Sequence, residues 1–278
     1  MGAPMAGHLL KAERALTVWN RSAGKADGLG ASGAYVAESL EDLARRSDIV
    51  FLCVNRSEDV RECLDGLVQG AKPGTLFVDH STIAPPAAKQ LADDLLDTGF
   101  RFIDAPVTGG SPGAQKGQLT IFCGGTEEDI DEVLPFLKAY AKRAERVGGA
   151  GSGQMTKMAN QIAVGGALLA LCEALSFAKK AGLDVAQTRE LVSGGAGGSW
   201  AFENYGRQIL EQDWTPGFSV KNQRKDFGYC MEAAREIDAA IPGTLLVDSL
   251  LKLLEQEGHG EWTTASLYAQ MLQMGAVS

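Results

Sequence analysis

The sequence predicts an α/β fold with a mostly parallel sheet, followed by an all-α domain. Three observations lead there: short β-branched runs alternate with amphipathic stretches from about residue 15 to 147, glycines break the chain at Gly148–Gly153, and helical spacing follows with almost no strand signal. A chain of 278 residues, 45% hydrophobic and with 34 glycines, has room for two domains of ordinary size. The boundary is expected at residues 150/151, giving domains 1–150 and 151–278.

The expected strands are Leu16–Trp19, Asp48–Val54, Thr75–Asp79, Phe102–Asp104, Leu119–Cys123 and Glu145–Val147. Between them, Ser39–Arg46, Asp59–Gln69, Ala84–Thr98 and Glu127–Lys142 carry helical periodicity. Mostly apolar strands separated by helices imply a parallel sheet covered on both faces. After the glycine break, one long helix is expected from about Gly153 to Ala181, ended by Gly182, with four or so shorter helices following as far as Met274. Small residues at Ala163, Gly165, Gly166, Ala167 and Ala170 suit close packing of that helix against another, in this chain or in a second subunit.

The charge balance is 26 basic against 35 acidic residues, a formal charge of -9, which argues against nucleic acid and membrane surfaces as partners. Five cysteines, Cys53, Cys63, Cys123, Cys172 and Cys230, are scattered and never form a C-x-x-C pair. They read as reduced core residues of a soluble, cytoplasmic protein. His8, His80 and His259 lie far apart in sequence, and no metal centre is expected. The uncharged run Met158–Cys172 is too short to span a membrane, continues into Glu173, Lys179 and Lys180, and reads as a buried helix; no signal peptide opens the chain.

A sheet of this kind, in the Rossmann-type arrangement, binds a dinucleotide through a strand, a G-x-G-x-x-G loop and a helix whose N-terminus meets the pyrophosphate. The opening residues Met1–Leu10 look like the end of such a loop and the helix after it, with Gly2 as the last glycine. Asn20 closes the next strand near where an NAD enzyme carries a carboxylate on the adenosine ribose. Here the residues are Asn20, Arg21 and Ser22: an amide, a guanidinium and a hydroxyl, which suit a 2′-phosphate that a carboxylate would repel. NADP(H) is therefore favoured over NAD(H). The bland alternative is a surface turn with Arg21 merely solvated.

Lys157 is the only charged side chain between Val147 and Cys172, at the start of a strongly apolar helix. Hydride transfer to or from an alcohol carbon needs a group that takes or supplies the hydroxyl proton, and desolvation of an ammonium would bring its pKa towards a useful range. Asn160 lies one turn further on the same helical face, and Gln161 is the fallback to it. Thr108-Gly109-Gly110, after an apolar strand, offers a hydroxyl and approachable backbone N–H groups for a carboxylate.

Four blocks carry a family resemblance: Val18-Trp19-Asn20-Arg21-Ser22, Val78-Asp79-His80-Ser81-Thr82, Asp104-Ala105-Pro106-Val107-Thr108-Gly109-Gly110, and Gly151-Ser152-Gly153-Gln154-Met155-Thr156-Lys157-Met158-Ala159-Asn160-Gln161. In this order and spacing the chain, from Gly2 onward, is similar to the 3-hydroxyisobutyrate dehydrogenase family of β-hydroxyacid dehydrogenases. That family includes tartronate semialdehyde (2-hydroxy-3-oxopropionate) reductases and glyoxylate or succinic semialdehyde reductases. The resemblance implies hydride transfer between NAD(P) and a small hydroxy acid or its semialdehyde, with Lys157 as acid/base and Asn160 beside it. It assigns Thr108, Gly109 and Gly110 to the substrate carboxylate, with Thr108 standing where Ser is usual, and Val54, Asn55 and Thr82 to the nicotinamide half of the cofactor. Many relatives carry Leu-Pro where this chain has Val54-Asn55. Lys225, in the family's Lys225-Asp226 pair, is expected on the cofactor, and Trp200 after Gly197-Gly198-Ser199 on the substrate pocket. A homodimer or homotetramer is also expected.

The family begins about ten residues earlier, with a first strand and a full glycine loop. That strand would lie in the middle of the sheet, so its neighbours are expected to show apolar faces and open backbone edges. A start upstream is favoured over a true truncation, because the catalytic blocks are intact. The rival readings are an imine reductase of the same architecture, which Lys157 opposes, and a truncated, non-catalytic homologue acting through its helical half. A 6-phosphogluconate dehydrogenase is excluded by length.

Overall fold

The computed structural model describes residues 1–22 and 24–274, in two compact units, Met1–Lys157 and Met158–Ser278. In the first unit the elements run α1 (Gly2–Lys11), β1 (Thr17–Val18), α2 (Asp27–Ala31), β2 (Tyr35–Val36), α3 (Leu40–Arg45), β3 (Ile49–Leu52), α4 (Ser57–Leu67), β4 (Leu76–Asp79), α5 (Pro85–Asp97) and β5 (Arg101–Asp104). They continue with β6 (Val107–Thr108), α6 (Gly110–Lys116), β7 (Leu119–Gly124), α7 (Glu127–Leu137) and β8 (Ala141–Gly148). The helix α8 (Ser152–Lys180) begins in this unit and continues into the second.

Strands β3, β4 and β5 pair in parallel, β5 and β6 pair antiparallel with β7, and β8 pairs in parallel with β7. The sheet is thus mixed, with a parallel core. Its two faces follow the alternation of side chains along a strand. Leu76, Val78 and Ile103 pack on one side with Met5 and Leu9 of α1 and Ile130, Val133 and Leu137 of α7. Phe77 and Phe102 point the other way, into Ala44, Val60, Leu64, Ala88, Leu91 and Leu95 of α3, α4 and α5. Both faces are covered, as the apolar strands predict.

Strands β1 and β2 form a separate parallel pair. Thr17 and Val18 of β1 and Ile49, Val50 and Phe51 of β3 line one cavity of about 670 Å³, together with Met5, Leu9, His80 and Tyr140.

The helix expected over Glu127–Lys142 stops at Leu137, and Ala141–Gly148 is a strand rather than only Glu145–Val147. Its charges, Lys142, Arg143, Glu145 and Arg146, mimic a solvated helix face. Pairing along β7 from Leu119 to Gly124 fixes the extended form, a tertiary contact that overrides local periodicity.

The second unit holds the rest of α8, then α9 (Val185–Ser193), α10 (Trp200–Glu211), α11 (Val220–Glu236), α12 (Pro242–Gln256), a 3-10 turn at Thr264–Ser266 and α13 (Leu267–Gln273). That is one helix more than the four or so expected, with Pro242 at the N-terminus of α12 where its missing N–H costs nothing. Only an isolated bridge, Ser219 to Thr263, represents β structure among its described residues. Gly165 lets α8 approach α11: a Cβ there would lie 2.6 Å from the ring of Phe227. By length and composition α8, at 29 residues, meets the requirement for a membrane span that the uncharged run alone does not. Leu168, Leu171, Cys172 and Leu175 are fully buried within the protein, however, which is how a core helix behaves.

Candidate active site

The site in the first unit is built at the C-terminal ends of β3, β4 and β5, where ligands of open α/β sheets bind. Asp79 and Asp104 end β4 and β5 as register partners, and both are fully buried. Each carboxylate is turned into local structure: Asp79 Oδ1 accepts from Ser81 N at 2.9 Å, while Asp104 accepts from Gly151 N and Gln154 N, each at 2.8 Å. Burial pushes the Asp104 carboxyl up to about 7, against the lowering by those two N–H groups; Asp79 adds to the rise.

Gln154, also fully buried, ties the start of α8 to the segment after β4. Its Nε2 donates to Ser81 O at 2.8 Å and its Oε1 accepts from Ile83 N at 3.2 Å. Ser81 Oγ in turn accepts from Val54 N at 2.9 Å, so the ends of β3 and β4 and the first turn of α8 share one hydrogen-bond network. One helical turn after Gln154, Lys157 is 7% exposed and its Nζ donates to Val107 O at 2.8 Å. The candidate acid/base is thereby held against the residue preceding Thr108. Gly109 and Gly110 follow with φ of 121° and 64°, a left-handed pair that side chains disfavour.

The remaining residues of this unit fall as follows. Val54 and Asn55 are exposed at the end of β3, and Thr82 is half-buried after β4. Gly2 opens α1 and lines the cavity beside Cys53; a Cβ would meet Cys53 only at 3.5 Å, so close approach does not require glycine there. Asn20 donates from Nδ2 to Ser22 O at 3.0 Å, shaping the turn after β1. The Arg21 side chain is 76% exposed and 3.7 Å from Asp59.

Under the site, His80 is buried between Ala105 and Tyr140. Its Nδ1–H donates to Ala105 O at 2.6 Å, and Tyr140 O–H donates to Nε2 at 2.8 Å. Desolvation lowers its pKa to about 4, which keeps it neutral. The five cysteines are free; burial raises the Cys53 thiol to about 11, so it is no nucleophile at neutral pH.

In the second unit the nominated residues form a relay. Asn160 Nδ2 donates to Gln161 Oε1 at 2.9 Å, Gln161 Nε2 donates to Asp226 Oδ2 at 2.8 Å, and Lys225 Nζ lies 3.1 Å from Asp226 Oδ1. Lys225 also stands over the ring of Tyr229 at 5.5 Å. Trp200, at the start of α10, is 44% exposed and meets Tyr205 edge to face. Among the described residues no cluster of His, Cys, Asp or Glu is set to hold a metal.

The sequence alone assigns no role to Asp104, Gln154 or His80. A carboxylate closing the apolar strand Phe102-Ile103-Asp104 was the available signal, since a buried acid needs donors and none lies beside it in sequence.

Two family models divide the chain between them. The NAD binding domain of 6-phosphogluconate dehydrogenase matches residues 1–159, and the NAD-binding domain of NADP-dependent 3-hydroxyisobutyrate dehydrogenase matches residues 151–271. A probable 3-hydroxyisobutyrate dehydrogenase-like protein of Arabidopsis thaliana is 38% identical over 100% of this chain and 84% of its own. The 2-hydroxy-3-oxopropionate reductase of Escherichia coli is 33% identical over 99% of this chain and 95% of its own. The structure of Mycobacterium tuberculosis 3-hydroxyisobutyrate dehydrogenase with L-serine superposes with a TM-score of 0.88 at 27% identity, covering 98% and 95% of the two chains. The chain belongs to the 3-hydroxyisobutyrate dehydrogenase family of NAD(P)-dependent oxidoreductases.

Proposed function

We propose that this protein moves hydride between NADP(H) and a small 3-hydroxy acid or its semialdehyde, with Lys157 as the acid/base. The observation that carries the reading is the buried Lys157 ammonium on the carbonyl of Val107, next to Thr108-Gly109-Gly110. One side chain able to change protonation state is thus adjacent to a loop able to bind a carboxylate.

The names of the relatives support one substrate class. 3-Hydroxyisobutyrate, L-serine and the alcohol formed by reducing 2-hydroxy-3-oxopropionate share the form HOCH2–CHX–COO⁻, with X a methyl, an ammonium or a hydroxyl. A substrate of this class places its carboxylate on Thr108 and the backbone of Gly109 and Gly110, and its hydroxyl at Lys157. In oxidation the neutral lysine takes the hydroxyl proton as the C–H bond gives up hydride; in reduction the ammonium returns it. The nicotinamide supplies or accepts the hydride. Asn160, one turn along α8, orients the hydroxyl or the lysine, Gln161 holds the Asn160 amide, and Trp200 borders the substrate.

For the cofactor, the donor set of this structure fits a phosphorylated ribose. Arg21 is exposed beside Asn20 and Ser22, and its ion pair with Asp59, at 3.7 Å, is long enough for a phosphate to displace it. Gly2 and the N-terminus of α1 are assigned to the pyrophosphate, Val54, Asn55 and Thr82 to the nicotinamide half, and Lys225 to a further cofactor contact. The protein is proposed to work in the cytoplasm as a homodimer or homotetramer, for which Phe177 and Leu191, 74% and 71% exposed, are candidate contacts; sedimentation of a monomer at micromolar concentration would remove the oligomer.

The test is initial-rate kinetics with 3-hydroxyisobutyrate, L-serine and D-glycerate, each with NADP⁺ and NAD⁺. Turnover of at least one acid, faster with NADP⁺, is expected. Absence of turnover with all three overturns the substrate class, and a preference for NAD⁺ overturns the cofactor assignment.

A further inference from the structure

The residue preceding helix α8 is Gly151, which has no side chain to cap the helix. Its first turn is satisfied from elsewhere: Ser152 N donates to Gly149 O at 3.0 Å, and Gly151 N and Gln154 N both donate to the Asp104 carboxylate, fifty residues earlier in the chain for Gln154. A capping residue normally serves the N–H of the second or third helical residue from just outside the same helix. Here the end of β5 does so across the fold. Gly153, between the two donors, packs so tightly that a Cβ would lie 2.5 Å from the carbonyls of Asp104 and Phe122 and 2.8 Å from Asp104 Oδ2. Gln154 Nε2 and Oε1 fix the same turn to Ser81 and Ile83. Lys157 follows one turn later.

We infer that Asp104 is a positioning residue for the acid/base: by gripping the first turn of α8 it sets the height and rotation of the helix, and with them the place of Lys157 Nζ. Gln154 is its second anchor. The inference rests on the reading of Lys157 as acid/base. The titratable groups around the carboxylate are Asp79 of β4 and Cys123 of β7; among the described residues no salt bridge reaches it, so its bonds to α8 are its main compensation for burial.

The experiment compares Asp104→Asn, Gln154→Ala and Lys157→Ala in the full chain, by amide hydrogen exchange and by kcat, KM and their pH profiles with L-serine and 3-hydroxyisobutyrate. Asp104→Asn keeps one acceptor and loses the other. Exchange at Gly151–Lys157 should accelerate while that at Leu76–Asp79 does not, and kcat should fall on the order of 10- to 100-fold with a smaller change in KM, as displacement of a reacting group by about an ångström does. The limb of the kcat profile that belongs to Lys157 should also move. Gln154→Ala leaves both carboxylate bonds in place and should shift the same readouts, less far; it serves if Asp104→Asn does not fold. Unchanged exchange over Gly151–Lys157 with an unmoved pH limb in both variants overturns the inference. If instead Lys157→Ala keeps full turnover, the acid/base reading itself falls, whatever the exchange data show.

Discussion

The two sides of the first unit are built differently. From β3 to β7 the ladder is continuous, its strand β4 is buried on both faces, and the polar groups at the strand ends are knitted together through Asp79, Ser81, Asp104 and Gln154. β1 and β2 form a separate pair of only two residues each, β1 and Tyr35 of β2 line the same cavity as β3, and β1 leads into an exposed turn, Asn20–Ser22. Fixed dipoles serve catalysis only when they do not reorganise, which is the reason the proposed chemistry is assigned to the first side. Recognition of a distant phosphate tolerates a looser, wetter surface. The comparison teaches that changes on the knitted side should reach turnover and stability, and changes on the other side only affinity.

The largest effect is expected at Lys157. Lys157→Ala should lower kcat by at least about 10²-fold, the usual size of general acid–base catalysis, without moving the melting midpoint by more than a few degrees. Near-normal turnover would break the assignment of chemistry to the knitted side.

Two buried groups then give pH dependences of opposite sign. His80 is depressed from 6.5 to about 4. The unfolded chain therefore binds a proton that the folded chain refuses between those values, and stability that is full above pH 6.5 falls as the pH drops towards 4, by about 3 kcal/mol from this group. Asp104 is raised from 3.8 to about 7, so the folded chain binds the extra proton and stability is gained as the pH drops through 7 towards 3.8. Urea midpoints from pH 8 to 4.5 should show acid sensitivity weakened in His80→Gln and strengthened in Asp104→Asn, each relative to the parent. Identical slopes in all three proteins would show that neither group is buried as described.

Gly153→Ala sharpens the same side. Its new methyl meets two carbonyl oxygens and the Asp104 carboxylate, so a loss of about 1–3 kcal/mol in the urea midpoint is expected. Gly166→Ala, on the same helix with nothing within 4 Å of its Cβ, is the control and should be neutral or stabilising. The smallest effect is on the other side: Arg21→Ala should raise KM for NADPH about tenfold, the worth of one charge-assisted contact, leaving KM for NADH and kcat alone. Equal effects on both nucleotides would place Arg21 outside the 2′-phosphate site.

Much of the fold was legible in the chain. Apolar strands that alternate with amphipathic helices leave few arrangements other than a covered parallel sheet, and the glycine break before α8 announced the change to helices. The motif residues were equally readable: Lys157 stands alone among uncharged neighbours, and Thr108-Gly109-Gly110 ends an apolar strand. Less legible was the start of the strand Ala141–Gly148: Ala141 and Lys142 read as the end of a helix, and only Glu145–Val147 read as strand, until β7 supplied the full partner.

By itself the sequence determined periodicity, composition and motif, because each depends on residues close together in the chain. Only the tertiary structure decided which distant groups meet: the Asp104 carboxylate on the N–H groups of Gly151 and Gln154, His80 between Ala105 and Tyr140, and Lys157 on the carbonyl of Val107. The physical reason is that a buried polar group must find partners, and nothing in local spacing says where in the fold those partners come from.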